Sequence, residues 1–166
     1  YAVSVLGEST ENLVSSGVVP KLDLDLERRV QATCLQAAEA GLLHSAHDCS
    51  DGGLAVAVSE CCFSSLGRDA IGADLDLGAG FDSETLLFSE SPSRIIVTFD
   101  PADEASVQRL AEANAAPFII IGRVGGKRLT VTVAGERIVD ADITQLETIW
   151  RGGLTNKLQA EALAAG

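Results

Sequence analysis

Apolar residues recur at helical spacing in four places along the chain. Leu26, Val30, Cys34, Ala37 and Ala38 form one stripe, capped by Asp23 and stopped by Gly41. Leu54, Ala57, Val58, Cys61 and Cys62 form a second, at i, i+3, i+4, i+7 and i+8. Val107, Leu110, Ala111 and Ala115 mark a third, opened by Asp100 with Pro101 at the first helical position and ended by Pro117. Ile143, Leu146, Ile149 and Trp150 give a fourth behind the cap Asp142, and the alanine-rich stretch 155–166 reads as a linker or frayed helix.

Between these stripes the period shortens to two. Ile71, Ala73, Leu75 and Leu77 alternate with Gly72, Asp74 and Asp76, which predicts a strand with one wet face. Leu129, Val131 and Val133 repeat the pattern after Gly125-Gly126, and Gly135 turns the chain again before Arg137 to Val139. Strands are also predicted at Tyr1 to Leu6, Leu42 to His47 and Ile95 to Phe99, with a short helical turn behind Asp82. The unbroken apolar run Phe118 to Ile121 predicts a strand covered on both faces. Helices and strands alternate early and strands accumulate late. The expected fold is therefore α/β (α+β), a mixed sheet covered by helices. The chain has 166 residues, 46% of them hydrophobic, enough for one core of ordinary domain size. The expected organisation is an entry segment 1–20, a domain 21–154 and a tail 155–166.

Charge narrows the partners. The net charge is −12, so the summed field repels nucleic-acid phosphates and anionic membranes, and neither is an expected partner. An anionic ligand would need a metal or a helix N-terminus to offset that field. None of the four cysteines stands in a Cys-x-x-Cys pair, and Cys34, Cys61 and Cys62 fall on apolar helix faces. Reduced cysteines in a cytoplasmic protein without zinc are expected. There is no run of 18 apolar residues, and neither an exported protein nor a membrane span is expected. The chain opens at Tyr1 and contains no Met, which suggests a piece of a longer polypeptide.

The candidate chemistry gathers at His47-Asp48-Cys49-Ser50-Asp51-Gly52-Gly53-Leu54, where a strand ends, two glycines follow and a helix leaves. Glycine lets the backbone take a positive φ and a ligand come close, and the first-turn N–H groups of the helix attract an anion. Asp48 and Asp51 are hard oxygen ligands, which beside a phosphate suggest Mg²⁺. The plainer reading of the same residues is a helix capped by Ser50 or Asp51 with solvated aspartates. An EF-hand is excluded, because Gly52 falls on the fifth position and Ser59 on the twelfth. Gly122 to Arg128 is not a phosphate loop, since Ile121 replaces its first Gly and Arg128 its Ser or Thr. His47 has the titration of a base, yet at a strand end it reads as a packed or hydrogen-bonded residue, and His44 as surface.

Three motifs in order, the bend just described, Phe88-Ser89-Glu90-Ser91-Pro92-Ser93-Arg94, and Ile121-Gly122 through Trp150-Arg151-Gly152-Gly153-Leu154, resemble the C-terminal domain of phosphoribosylformylglycinamidine synthase. The resemblance covers residues 20 to 154 or so and implies a fold like the C-terminal domain of aminoimidazole ribonucleotide synthase. It implies a ligase of purine biosynthesis that uses ATP to convert formylglycinamide ribonucleotide to the amidine, with ammonia from a glutaminase subunit or domain. The family's synthetase part has two pseudo-symmetric halves, and this chain resembles the last of its four domains. Asp48 then corresponds to a Mg²⁺ ligand, and Ser50, Gly52 and Gly53 to the site of a nucleotide, ATP or ADP. Glu90 and Ser91 correspond to substrate contacts, although Pro92 stands where the other half has Gln. The family's catalytic histidine belongs to another domain, so no catalytic residue is expected here. Partners would be the remaining synthetase domains and the glutaminase, with self-association of the isolated chain through apolar surface. A nucleotide-holding or scaffolding module without catalysis is the alternative function. A kinase-like relative making thiamine or selenium phosphates fits the bend less well.

Overall fold

The computed structural model describes residues 22–164, so the strand expected at Tyr1 to Leu6 lies outside the described residues. In order the elements are α1 (Leu24–Glu39), β1 (Leu43–Asp48), α2 (Gly53–Cys62), β2 (Ala73–Asp76), α3 (Ser83–Phe88), β3 (Ile95–Phe99), α4 (Glu104–Ala113), β4 (Gly122–Val124), β5 (Arg128–Val133), β6 (Glu136–Asp142) and α5 (Ile143–Ala164). Where one core was expected, contacts divide the chain into two units. Of the described residues, the first comprises those up to Val58 with Phe81–Ile120, and the second Ser59–Gly80 with those from Ile121 onward.

In the first unit β1 and β3 pair antiparallel, with Leu43 opposite Phe99 and Asp48 opposite Ile95. A two-stranded ribbon is marginal by itself, so α1 and α4 supply its cover. Ala37, Val107 and Ala111 are the most deeply buried residues of that cover, at 1–2% exposure. A mostly apolar pocket of about 70 Å³, open on one side, lies between Cys34, Val30, Val97 and Val107. Burial pushes the Cys34 thiol above its ordinary value.

The caps at Asp23 and Gly41 act as read from the sequence. The Asp23 carboxylate accepts from the N–H groups of Asp25 and Leu26, each at 3.0 Å. Gly41, at φ +70°, ends α1, where the Leu42 N–H reaches the Ala37 carbonyl at 3.0 Å. Helix α4 ends in the same motif, but with Ala115 in the left-handed position at φ +52°. The Ala116 N–H there reaches the Ala111 carbonyl at 2.8 Å. Ala115 therefore leaves the helical stripe to which its spacing assigned it.

The second unit holds a four-stranded mixed sheet in the order β4-β2-β5-β6, with β2 parallel to β5 and the other pairs antiparallel. Ala73, Leu75, Leu129, Val131 and Val133 are buried and their neighbours along the strands are more open, as period two requires. Two glycines let backbones meet across this sheet. A Cβ on Gly122 would lie 2.1 Å from the Asp74 carbonyl oxygen, and one on Gly72 2.3 Å from that of Arg128.

The strand expected at Phe118 to Ile121 does not form. Residues 116–121 carry no regular structure, and Ile119 and Ile120 are 78% and 51% exposed. The reason is the length of β2, which stops at Asp76. The Asp76 N–H takes the Ile121 carbonyl at 2.8 Å, and strand pairing begins only at Gly122, opposite Leu75. Asp142 caps α5 by accepting from Thr144 and Gln145. This helix continues through the expected linker as far as Ala164. Ile143 is its buried anchor, Ile149 faces outward, and Glu147 takes the inward place one turn after Ile143.

A candidate nucleotide-binding bend

Strand β1 delivers its last residue, Asp48, to a turn that two backbone bonds shape. The Cys49 N–H donates to the Arg94 carbonyl at 3.0 Å, which extends the β1–β3 pairing, and the Gly53 N–H donates to the Ser50 carbonyl at 3.0 Å. Gly53 sits at φ +67°, and a Cβ there would come within 2.7 Å of the Ser89 carbonyl oxygen and 2.8 Å of the Phe88 carbonyl carbon. Its missing side chain is what lets the turn after α3 lie against the bend. That contact brings Glu90 into place, and its Oε1 accepts the Gly52 N–H at 2.9 Å.

Neither Ser50 nor Asp51 caps α2, contrary to the expectation, because the helix starts at Gly53 and both residues precede its cap position. The Ser50 hydroxyl donates instead to the Asp48 carboxylate. Glu90 does from 38 residues away what the Glu of a capping box does from within the first turn. The N–H groups of Gly52 and Gly53 are thus already engaged by protein acceptors, so these glycines contribute shape to the site. Ser91 contributes its carbonyl, which accepts from Arg94 Nε at 3.4 Å, and the Arg94 guanidinium also donates to the Ser89 carbonyl.

Asp48 is exposed, and the Ser50 hydroxyl is the main cause that holds its carboxyl below the usual range. It is ionised at neutral pH. Among the described residues no three His, Cys, Asp or Glu side chains converge as a metal cage. One exposed, ionised carboxylate fits Mg²⁺, which keeps several waters and phosphate oxygens in its shell, and does not fit a metal held by protein alone. Cys49 is buried beside Asp48, and burial raises its thiol, so it stays protonated. His47 Nδ1 lies 2.7 Å from the Asp48 carbonyl, a hydrogen-bonded strand-end residue as its position suggested, and His44 is exposed.

Sequence reasoning missed Glu27, whose Oε2 accepts the Ser93 hydroxyl at 2.6 Å, and Arg94, which ties the turn together. It also missed Glu147 in the second unit. Glu147 accepts from the Ser64 hydroxyl at 2.5 Å and from Arg151 Nε at 2.7 Å, and these bonds hold its carboxyl below the ordinary value. A charged residue on an apolar stripe with Arg four residues later was the available signal.

Fold and bend together define a class. Residues 1–134 match the family described as AIR synthase related protein, C-terminal domain, and the chain belongs to that family. Among its relatives are subunits of one enzyme. The chain is 38% identical over 164 residues to phosphoribosylformylglycinamidine synthase subunit PurL of Anaeromyxobacter sp. (strain K), covering 95% of this chain and 21% of that protein. With the same subunit of Alkaliphilus metalliredigens (strain QYMF) it shares 36% over 154 residues, covering 93% of this chain and 20% of the relative. The chain spans about a fifth of the length of these relatives. The fold is also that of T. maritima PurL complexed with ATP, with a TM-score of 0.68 at 21% identity over 79% of this chain and 23% of that one. PurLQS from Thermotoga maritima gives 0.65 at 20% identity, over 75% and 22%. Among the described residues no helix is long and apolar enough to cross a membrane.

Proposed function

We propose that this chain is the C-terminal domain of an ATP-dependent ligase that converts formylglycinamide ribonucleotide to formylglycinamidine ribonucleotide, with ammonia drawn from glutamine, in the cytoplasm. The observation that carries the reading is the identity to PurL subunits over more than nine-tenths of the chain. Within that enzyme the bend holds a Mg²⁺-nucleotide, ATP or ADP. Asp48 ligates the metal, Ser50 contacts the nucleotide, and Gly52 and Gly53 let it approach. Glu90 and Ser91 stand at the edge where substrate would meet the bend, and the remaining synthetase domains and a glutaminase complete the assembly. A nucleotide-holding or scaffolding role is the second reading. It is favoured by exposed Ile119 and Ile120, which suit contact with another domain or self-association of the isolated chain.

Attraction at a helix N-terminus contributes only about 0.3–1 kcal/mol, whereas micromolar binding needs about 8 kcal/mol. The metal and the other domains must supply the difference. In the full-length protein Asp48→Asn removes the charge facing the metal while nearly keeping shape, and it should weaken Mg²⁺-nucleotide binding by at least about tenfold. Ser50→Ala should do so more mildly. Calorimetry with and without Mg²⁺-nucleotide is the test, and wild-type binding by Asp48→Asn would remove the site from the bend.

A further inference from the structure

The turn Ser89–Arg94 is fastened from two sides. On one, Glu90 accepts the Gly52 N–H and the Arg94 carbonyl accepts the Cys49 N–H. On the other, the Ser93 hydroxyl donates to Glu27 Oε2 of α1 at 2.6 Å. Ser93 is at φ +64°, a left-handed conformation that a residue with a Cβ holds only when its surroundings impose it. Glu27 is itself oriented, because Gln31 Nε2 donates to its other oxygen at 2.5 Å. The Ser93 bond is also the first cause of its lowered carboxyl pKa, so the acceptor is an ionised carboxylate at neutral pH.

We propose that Glu27 is a positioning residue for the nucleotide bend: through the Ser93 hydroxyl it fixes the turn that presents Glu90 to the Gly52 N–H. The inference rests on the bend being the Mg²⁺-nucleotide site. When Glu27 is lost, nothing on α1 holds the Ser93 backbone in its left-handed state. Glu90, three residues upstream, then shifts, the Gly52 N–H loses its acceptor, and the turn that carries Asp48 and Ser50 loosens.

The experiment uses the full-length protein with MgATP as probe and two readouts, hydrogen exchange at Gly52 and affinity by calorimetry. Glu27→Ala should speed Gly52 exchange about tenfold and weaken MgATP about three- to tenfold, the scale of one lost hydrogen bond. Glu27→Gln keeps an oxygen for Ser93 and should stay within about twofold of wild type in both readouts. Ser93→Ala removes the hydroxyl and keeps the left-handed strain, whereas Ser93→Gly removes both and should stay near wild type in both readouts. Ser93→Ala should reproduce both losses, and its contrast with Ser93→Gly is one that a purely structural role for the hydroxyl does not predict. Unchanged Gly52 exchange in Glu27→Ala and Ser93→Ala would overturn the inference, as would faster exchange with unchanged affinity. MgATP binding indifferent to Asp48→Asn overturns the reading of the bend instead, while Gly52 exchange still decides whether Glu27 positions the turn.

Discussion

Replacing Gly53 by Ala tests whether the bend depends on close backbone approach. The left-handed backbone at φ +67° costs a residue with a Cβ about 1–2 kcal/mol. The new methyl would also stand 2.7, 2.8 and 2.9 Å from backbone atoms of Ser89, Phe88 and Leu87, none of which can rotate away. Forcing that backbone to move adds about 1–3 kcal/mol, the range for overpacking, so the sum is about 2–5 kcal/mol. Gly41 is the internal control, because it has nearly the same φ, +70°, and a Cβ there meets nothing within 4 Å. Gly41→Ala should therefore cost only the backbone part, about 1–2 kcal/mol. Urea melts of both variants, read as midpoints at unchanged slope, give the difference directly. Faster exchange at Gly52 in the Gly53 variant would show that the displaced turn carries Glu90 with it. Equal losses in the two variants would refute the steric argument and leave only backbone strain.

The Glu147 carboxyl is held below its ordinary value of 4.5 by Ser64 and Arg151, so its contribution is fully present above that value and is lost as pH falls through the lowered one. The urea midpoint should therefore fall on acidification below about pH 5, and Glu147→Gln should flatten that limb; parallel curves would exclude the contribution. Ala115→Gly relieves left-handed strain at the end of α4 and, after the extra entropy of glycine in the unfolded chain, should stabilise by about 0.5–1 kcal/mol in a thermal melt. The isolated chain, given substrate, ATP and ammonia, should form no amidine product. Turnover abolished by Asp48→Asn would overturn that expectation.

Local signals were legible and distant ones were not. Asp23, Asp82 and Asp142 cap their helices through N–H groups two or three residues away, so the sequence carries both partners side by side. The alternation of β2 and β5 was equally readable, because period two follows from the pleat alone. Phe118 to Ile121 misled because an apolar run reports a preference for burial but not the presence of a neighbour, and β2 is too short to provide one. At the bend, spacing drew attention to Asp48 and Ser50 but not to their direct bond, and the capping role fell to Glu90 from another loop. A capping partner 38 residues away leaves no trace in spacing.

The glycines that let backbones cross between β2, β4 and β5 also restrict how this domain can vary. Every missense change at a glycine codon installs a Cβ, and at Gly72 and Gly122 that atom lands on main-chain oxygen rather than on a side chain able to swing aside. These two sites have no mild missense neighbour, so drift cannot pass through them by small steps. Gly153 in α5 is the opposite case, with nothing within 4 Å of its missing side chain. In a saturation library the columns at 72 and 122 would be nearly empty and the column at 153 well filled, all three bearing the same letter in the parent sequence.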